Sequence, residues 1–170
     1  MRYPQKTLNF DLIKEMVNKY RDNQLQSILD SVVRPMHEDA EAIWFDLDTL
    51  KDFIADIENL VADNPNAPKG KLGLRMYYAA YPTKEKWSRP GYEDLADLLQ
   101  DPVTQRYEKK HTLILVPTTE VEGENFDFNP IDENTAPGRT LALTGTANSP
   151  TMALNHAYLI PPNSAIGEWF

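Results

Sequence analysis

The stretch Ala42-Ile43-Trp44-Phe45-Asp46-Leu47-Asp48-Thr49-Leu50 decides the fold, because a strand pattern gives way to a helix pattern inside it. Ala42 to Phe45 is short, β-branched and aromatic, which suits a pleated, half-buried segment, and Asp46 follows at once. An aspartate at that point is a helix N-cap, since its carboxylate accepts the free amides of a first turn. Leu47, Leu50, Ile54, Ile57 and Val61 then recur at helical steps with Phe53 beside them, until Asn64-Pro65-Asn66-Ala67-Pro68 stops the run. The stretch predicts a strand feeding a helix of about four turns.

On the C-terminal side, Leu72 to Tyr81 alternates with the period of a strand. Leu72, Leu74, Met76 and Tyr78 fall on one face, and Gly73, Arg75, Tyr77, Ala79 and Tyr81 on the other. Thr83 to Pro90 reads as a loop carrying Lys84, Lys86 and Arg89, and Tyr92 to Leu99 as a short helix closed by Asp101-Pro102. Thr112-Leu113-Ile114-Leu115-Val116 is a continuous apolar run, as expected of a strand buried in mid-sheet. Glu120 to Glu133 reads as a long acidic connection or flap in which Gly123 can turn a hairpin, and Arg139 to Thr146 as a weaker strand. The aromatics Trp169-Phe170 close a tail that reads as packed. On the N-terminal side, Phe10, Ile13, Val17 and Tyr20, then Leu25, Ile28 and Val32, predict one or two amphipathic helices ended by Pro35.

The expected fold class is α+β, one domain over 1–170. Residues 1–35 form a helical N-terminal part, and 42–170 an α+β core and tail. The small mixed or antiparallel sheet is covered by the N-terminal helices and the Leu47–Val61 helix, and the strand-helix-strand order predicts that its first two strands run parallel.

At 170 residues the chain fits a single domain, and 41% hydrophobic with 25% charged residues is a globular balance. Lys and Arg number 17 against 26 Asp and Glu, a formal charge of -9 that repels phosphate backbones and anionic headgroups. No direct nucleic-acid partner is expected. The excess at Asp46, Asp48, Asp52, Asp56 and Glu58, and again at Glu120, Glu122, Glu124 and Asp127, reads as solvated surface, or in a sharper reading as an acidic mimic of nucleic acid. With no cysteine, thiolate nucleophiles, disulfides and thiolate metal sites are excluded. Met1 to Lys6 lacks the apolar run of a signal peptide, and no stretch approaches the roughly 20 apolar residues of a membrane span, so a cytoplasmic protein with no membrane partner is expected.

The sequence carries no glycine-rich phosphate loop, dinucleotide fingerprint or zinc-protease motif, and no cofactor is expected. His37, His111 and His156 are not spaced as helical metal ligands, and no metal site is expected. His156 is the candidate for acid–base chemistry, since imidazole titrates near neutral pH; alternatively its ring braces the tail. His111 reads as a structural residue at a strand end. Arg75, in a strand whose other face is apolar, must reach water or meet an acid. Asp46 can supply that acid if the two strands are neighbours; otherwise Asp46 caps its helix and Arg75 reaches solvent. Tyr77 and Tyr81 share the face of Arg75, as packing or as ligand-stacking rings.

The run Ile43-Trp44-Phe45-Asp46-Leu47, the strand Arg75-Met76-Tyr77-Tyr78-Ala79-Ala80-Tyr81, the strand His111-Thr112-Leu113-Ile114-Leu115-Val116-Pro117-Thr118, and Asn155-His156 before Pro161-Pro162 together resemble a group of small uncharacterised bacterial proteins. The resemblance spans Asp39 to Pro162 and implies a cytoplasmic bacterial domain without any catalytic assignment. Where that group has Asn-His-Gly and a cysteine before the prolines, this chain has Ala157 and Ile160, which argues against a metal or thiol site in the tail.

The function expected first is a non-catalytic binding or interaction module for a protein or small-molecule partner. Its ligand-binding residues would be Arg75, Tyr77, Tyr81, Asp46 and Asn155, converging with His156 on one concavity. The alternatives are a small enzyme of hydrolase or lyase type with His156 as general base, and the acidic nucleic-acid mimic.

Overall fold

Asn9 opens the first helix by accepting the amide of Asp11 at 2.8 Å. This computed structural model describes residues 7–31, 36–132, 150–155 and 157–162, so the strand expected over 139–146, His156 and the Trp169-Phe170 tail lie outside the described residues. Helix α1 (Phe10–Lys19) runs without a break into a π-helical turn (Tyr20–Leu25) and α2 (Gln26–Leu29). Within the wide turn, Asn23 Nδ2 donates to the Lys19 carbonyl at 2.8 Å and the Asn23 carbonyl accepts Ser27 Oγ at 2.9 Å. No residue of α1 is buried, whereas Leu25 is. The N-terminal helical stretch therefore covers the body through its later half.

Strand β1 (Ala42–Trp44) leads into α3 (Leu47–Asp63). Asp46 is the cap the sequence predicts: its backbone is extended and its Oδ1 accepts Asp48 N at 3.0 Å and Thr49 N at 2.9 Å. The buried stripe of α3 differs from the expected one. Ile57 is 4% and Phe53 8% exposed, with Leu50 and Val61 packed beside them, but Ile54 is 42% exposed and Leu47 faces solvent. Stripes through residue 53 and through residue 54 fit the helical period equally, and burying the larger phenylalanine removes more apolar area from water.

Strands β2 (Leu72–Ala80), β3 (His111–Val121) and β4 (Glu124–Asp127) form an antiparallel sheet in that order, so the continuous apolar run is central as expected. Arg75 stands opposite Val116, Tyr77 opposite Ile114 and Ala79 opposite Thr112. Between β3 and β4, Glu122 and Gly123 both have positive φ, 53° and 86°, the left-handed pair that matches strand twist in a two-residue hairpin. The first part of the acidic connection is thus a hairpin and not a flap. Gly70 packs where a side chain cannot: a Cβ there would lie 1.8 Å from the Glu120 carbonyl oxygen.

The expected parallel pairing of the first two strands does not occur. β1 pairs antiparallel with β5 (Tyr158–Ile160), with Trp44 opposite Tyr158, in a separate two-stranded sheet. The tail strand occupies the edge of β1, a pairing between distant segments that no local pattern encodes. A bridge between Leu115 and Leu154, with N···O distances of 2.9 and 3.0 Å, fixes that tail to β3. One core gathers Phe53, Ile57, Leu115, Phe128 and Leu154; a second, more aromatic, gathers Tyr81, Trp87, Tyr107 and Leu159. Among the described residues, no helix is long and apolar enough to cross a membrane.

Candidate functional site: an aromatic cleft between two sheets

A cleft of about 910 Å³ is walled by both sheets. Thr112 and Ile114 of β3 and Ala79 of β2 share one sheet face by strand alternation and form one wall. Trp44 and Tyr158 form the other, as a directly opposed cross-strand pair with ring centroids 5.4 Å apart and planes tilted by 51°. Both rings stay half-open, at 39% and 46% exposure. Asp46 lies two residues beyond Trp44 along extended backbone, which carries its carboxylate to the same side. Tyr92, Asp94 and Leu98 border the cleft from the 3₁₀ segment Glu93–Leu99 and its N-cap.

Most uncharged polar groups of the wall are already engaged. Asn155 Nδ2 donates to Thr112 Oγ1 at 3.1 Å and to the Leu113 carbonyl at 2.7 Å, bracing the tail on β3. Thr104 Oγ1 donates to the Leu98 carbonyl at 2.7 Å, and the Tyr107 hydroxyl accepts Leu159 N at 3.2 Å. Burial pushes the Tyr81 hydroxyl up to about 12, which keeps it neutral across physiological pH. Asp46 is different. The amide of Thr49, with Asp48 N and Thr49 Oγ1, holds its carboxyl below the ordinary carboxylate value, and these three bonds all fall on Oδ1. Asp46 stays ionised, with Oδ2 outside that cap. Among the described lining residues the carboxylates are Asp46 and Asp94, and there is no lysine or arginine.

Of the site residues expected from sequence, Asp46, Tyr81 and Asn155 meet in this cleft, whereas Arg75 and Tyr77 do not line it. Arg75 does not pair with Asp46. Its Nη1 donates to Asp127 Oδ1 at 2.6 Å and its Nη2 to the Asn125 carbonyl at 2.7 Å, while the Tyr77 hydroxyl donates to the other oxygen of Asp127. Sheet register accounts for this: Arg75 faces Val116, and β4 sets Asp127 opposite Thr118 on the next strand. Asp46 has the capping role that the sequence offered as its alternative. The expected convergence with His156 lies outside the described residues.

A carboxylate–imidazole pair went unread in the sequence. Asp39, with a fully buried side chain, accepts His111 N at 2.8 Å and Ala40 N at 2.7 Å and contacts His111 Nδ1. Beside it, Lys110 Nζ reaches the Glu38 carbonyl at 2.7 Å and its carboxylate at 2.9 Å. His37-Glu38-Asp39 reads as a connector, and only the start of β3 gives it a partner. His111 lines neither the aromatic cleft nor the shallower one beside Lys110, consistent with a structural strand-end role. Among the described residues, no group of three or more His, Cys, Asp or Glu could hold a metal.

Comparison of the chain with protein-family models, with curated proteins and with solved structures gives no match.

Proposed function

We propose that the protein is a non-catalytic binding module whose ligand sits in the cleft between the Trp44–Tyr158 pair and the Thr112–Ile114 wall. The observation that carries this reading is the cleft itself. Its volume of about 910 Å³ falls within the roughly 300–1,000 Å³ of small-molecule sites, and its lining is largely aromatic and aliphatic with a few fixed polar groups. The site replaces the Arg75 and Tyr77 surface, whose donors are spent on Asp127 and Asn125. With no cysteine the fold does not depend on disulfide formation, and the cytoplasm is the setting proposed.

The test is a thermal-shift screen of the purified protein against metabolites. A ligand of the native state should raise the melting temperature, since a concentration about 100 times its Kd is worth about 2.7 kcal/mol. Ala153→Trp, which fills the cleft from an exposed lining position, should abolish the shift while the protein stays folded. A shift that survives Ala153→Trp, or a protein unmoved by the whole panel, overturns the assignment.

A further inference from the structure

We infer that the cleft selects a small organic cation carrying an alkylammonium head group, an inference that rests on the binding reading above. Three independent observations point the same way. The first is charge: the described lining residues include Asp46 and Asp94 and no lysine or arginine, within a protein of formal charge -9. Such a field concentrates cations at the mouth and repels phosphates and carboxylates. The second is the half-open Trp44–Tyr158 pair, whose π faces are negative and attract an ammonium group. Trp44 precedes Asp46 by two residues, and both line the cleft.

The third is what the wall has left to offer. A sugar or another neutral polyhydroxyl ligand is held by many donors and acceptors, yet the Asn155 amide nitrogen and the Thr104 hydroxyl proton are spent within the protein and the Tyr107 hydroxyl already accepts Leu159 N. Beside the hydroxyls of Tyr92, Thr151 and Tyr158, the cleft offers ring faces and the Asp46 and Asp94 carboxylates. A quaternary ammonium needs only the ring faces and the negative charge, and a primary ammonium can place its N–H donors on the carboxylates and hydroxyls as well.

Isothermal titration with choline, with putrescine and with the neutral isostere of choline, in which carbon replaces nitrogen, tests the inference. At least one cation should bind, more weakly as salt is raised, and the isostere should bind about tenfold more weakly or not at all. Asp46→Asn keeps an N-cap of equal rank, so the start of α3 survives while the charge is lost, and affinity for the cation should fall several-fold. Trp44→Leu should weaken it by a similar factor. Equal binding of the neutral isostere overturns the inference, as does affinity unchanged in both Asp46→Asn and Asp94→Asn. Binding of a lysine peptide with no response to choline or putrescine overturns its small-ligand form. A neutral or anionic metabolite that binds in an Ala153-dependent way, with the cations silent, ends the cation inference and leaves the binding module standing; silence of every ligand ends both.

Discussion

Asp39 and His111 are joined twice, through the backbone amide of His111 and through its ring Nδ1, so one buried carboxylate ties the segment before β1 to the first residue of β3. Asp39→Ala strands the amides of His111 and Ala40 and should cost about 3 kcal/mol in urea denaturation. Asp39→Asn, which keeps an acceptor, should cost less, and His37→Ala, at an exposed position, almost nothing. Equal effects of Asp39→Ala and His37→Ala would show that the joint contributes nothing to stability.

Arg75 and Asp127 form an asymmetric pair, 40% and 7% exposed at their side chains. Arg75→Ala leaves a nearly buried carboxylate with only the Tyr77 hydroxyl for company, and should cost about 1–2 kcal/mol. Asp127→Asn leaves a guanidinium that turns to water and should cost less. A double-mutant cycle should return clear coupling between the two positions; strict additivity would refute the pair.

The rotated stripe of α3 separates two neighbouring isoleucines. Ile57→Asp places a charge among Phe53, Leu115 and Phe128 and should cost several kcal/mol, with little soluble protein. Ile54→Asp, on the open side, should stay within about 1 kcal/mol of the parent. Comparable melting temperatures for the two variants would contradict the packing.

Alkaline stability should depend on Tyr81. Its folded value of about 12 lies above the ordinary tyrosine value near 10, so the unfolded chain loses its proton first. The stabilisation is whole below pH about 10 and is lost as pH climbs toward about 12. In Tyr81→Phe the decline of stability with rising pH should be shallower, as read by denaturation midpoints across that window. A decline as steep as in the parent would reject Tyr81 as its source.

What could be read in the sequence was local. The Asp46 cap needed only Phe45 before it and the Leu50, Ile57 and Val61 period after it, and the strands around Arg75 and Ile114 needed only alternation or an unbroken apolar run. Phe53 and Ile54 fit the helix period equally, so the choice between them awaited Leu115 and Phe128 across the core. The partner of Arg75 depended on register, since Asp127 is one of 26 acids and only the Glu122-Gly123 turn brings it alongside. Asp46, Tyr81 and Asn155 do meet in one cleft, but through β1–β5 pairing and the Asn155 brace, and without the arginine expected to gather them.

The β1–β5 pairing also sets a schedule for biosynthesis. Trp44 leaves the ribosome well before Tyr158, its cross-strand partner, so the nascent chain carries an unpaired β1 edge and an open aromatic surface until the later strand emerges. A translation product interrupted just before Tyr158 would contain the residues of α3 and of all three strands of the larger sheet, and would lack the Tyr158 half of one cleft wall.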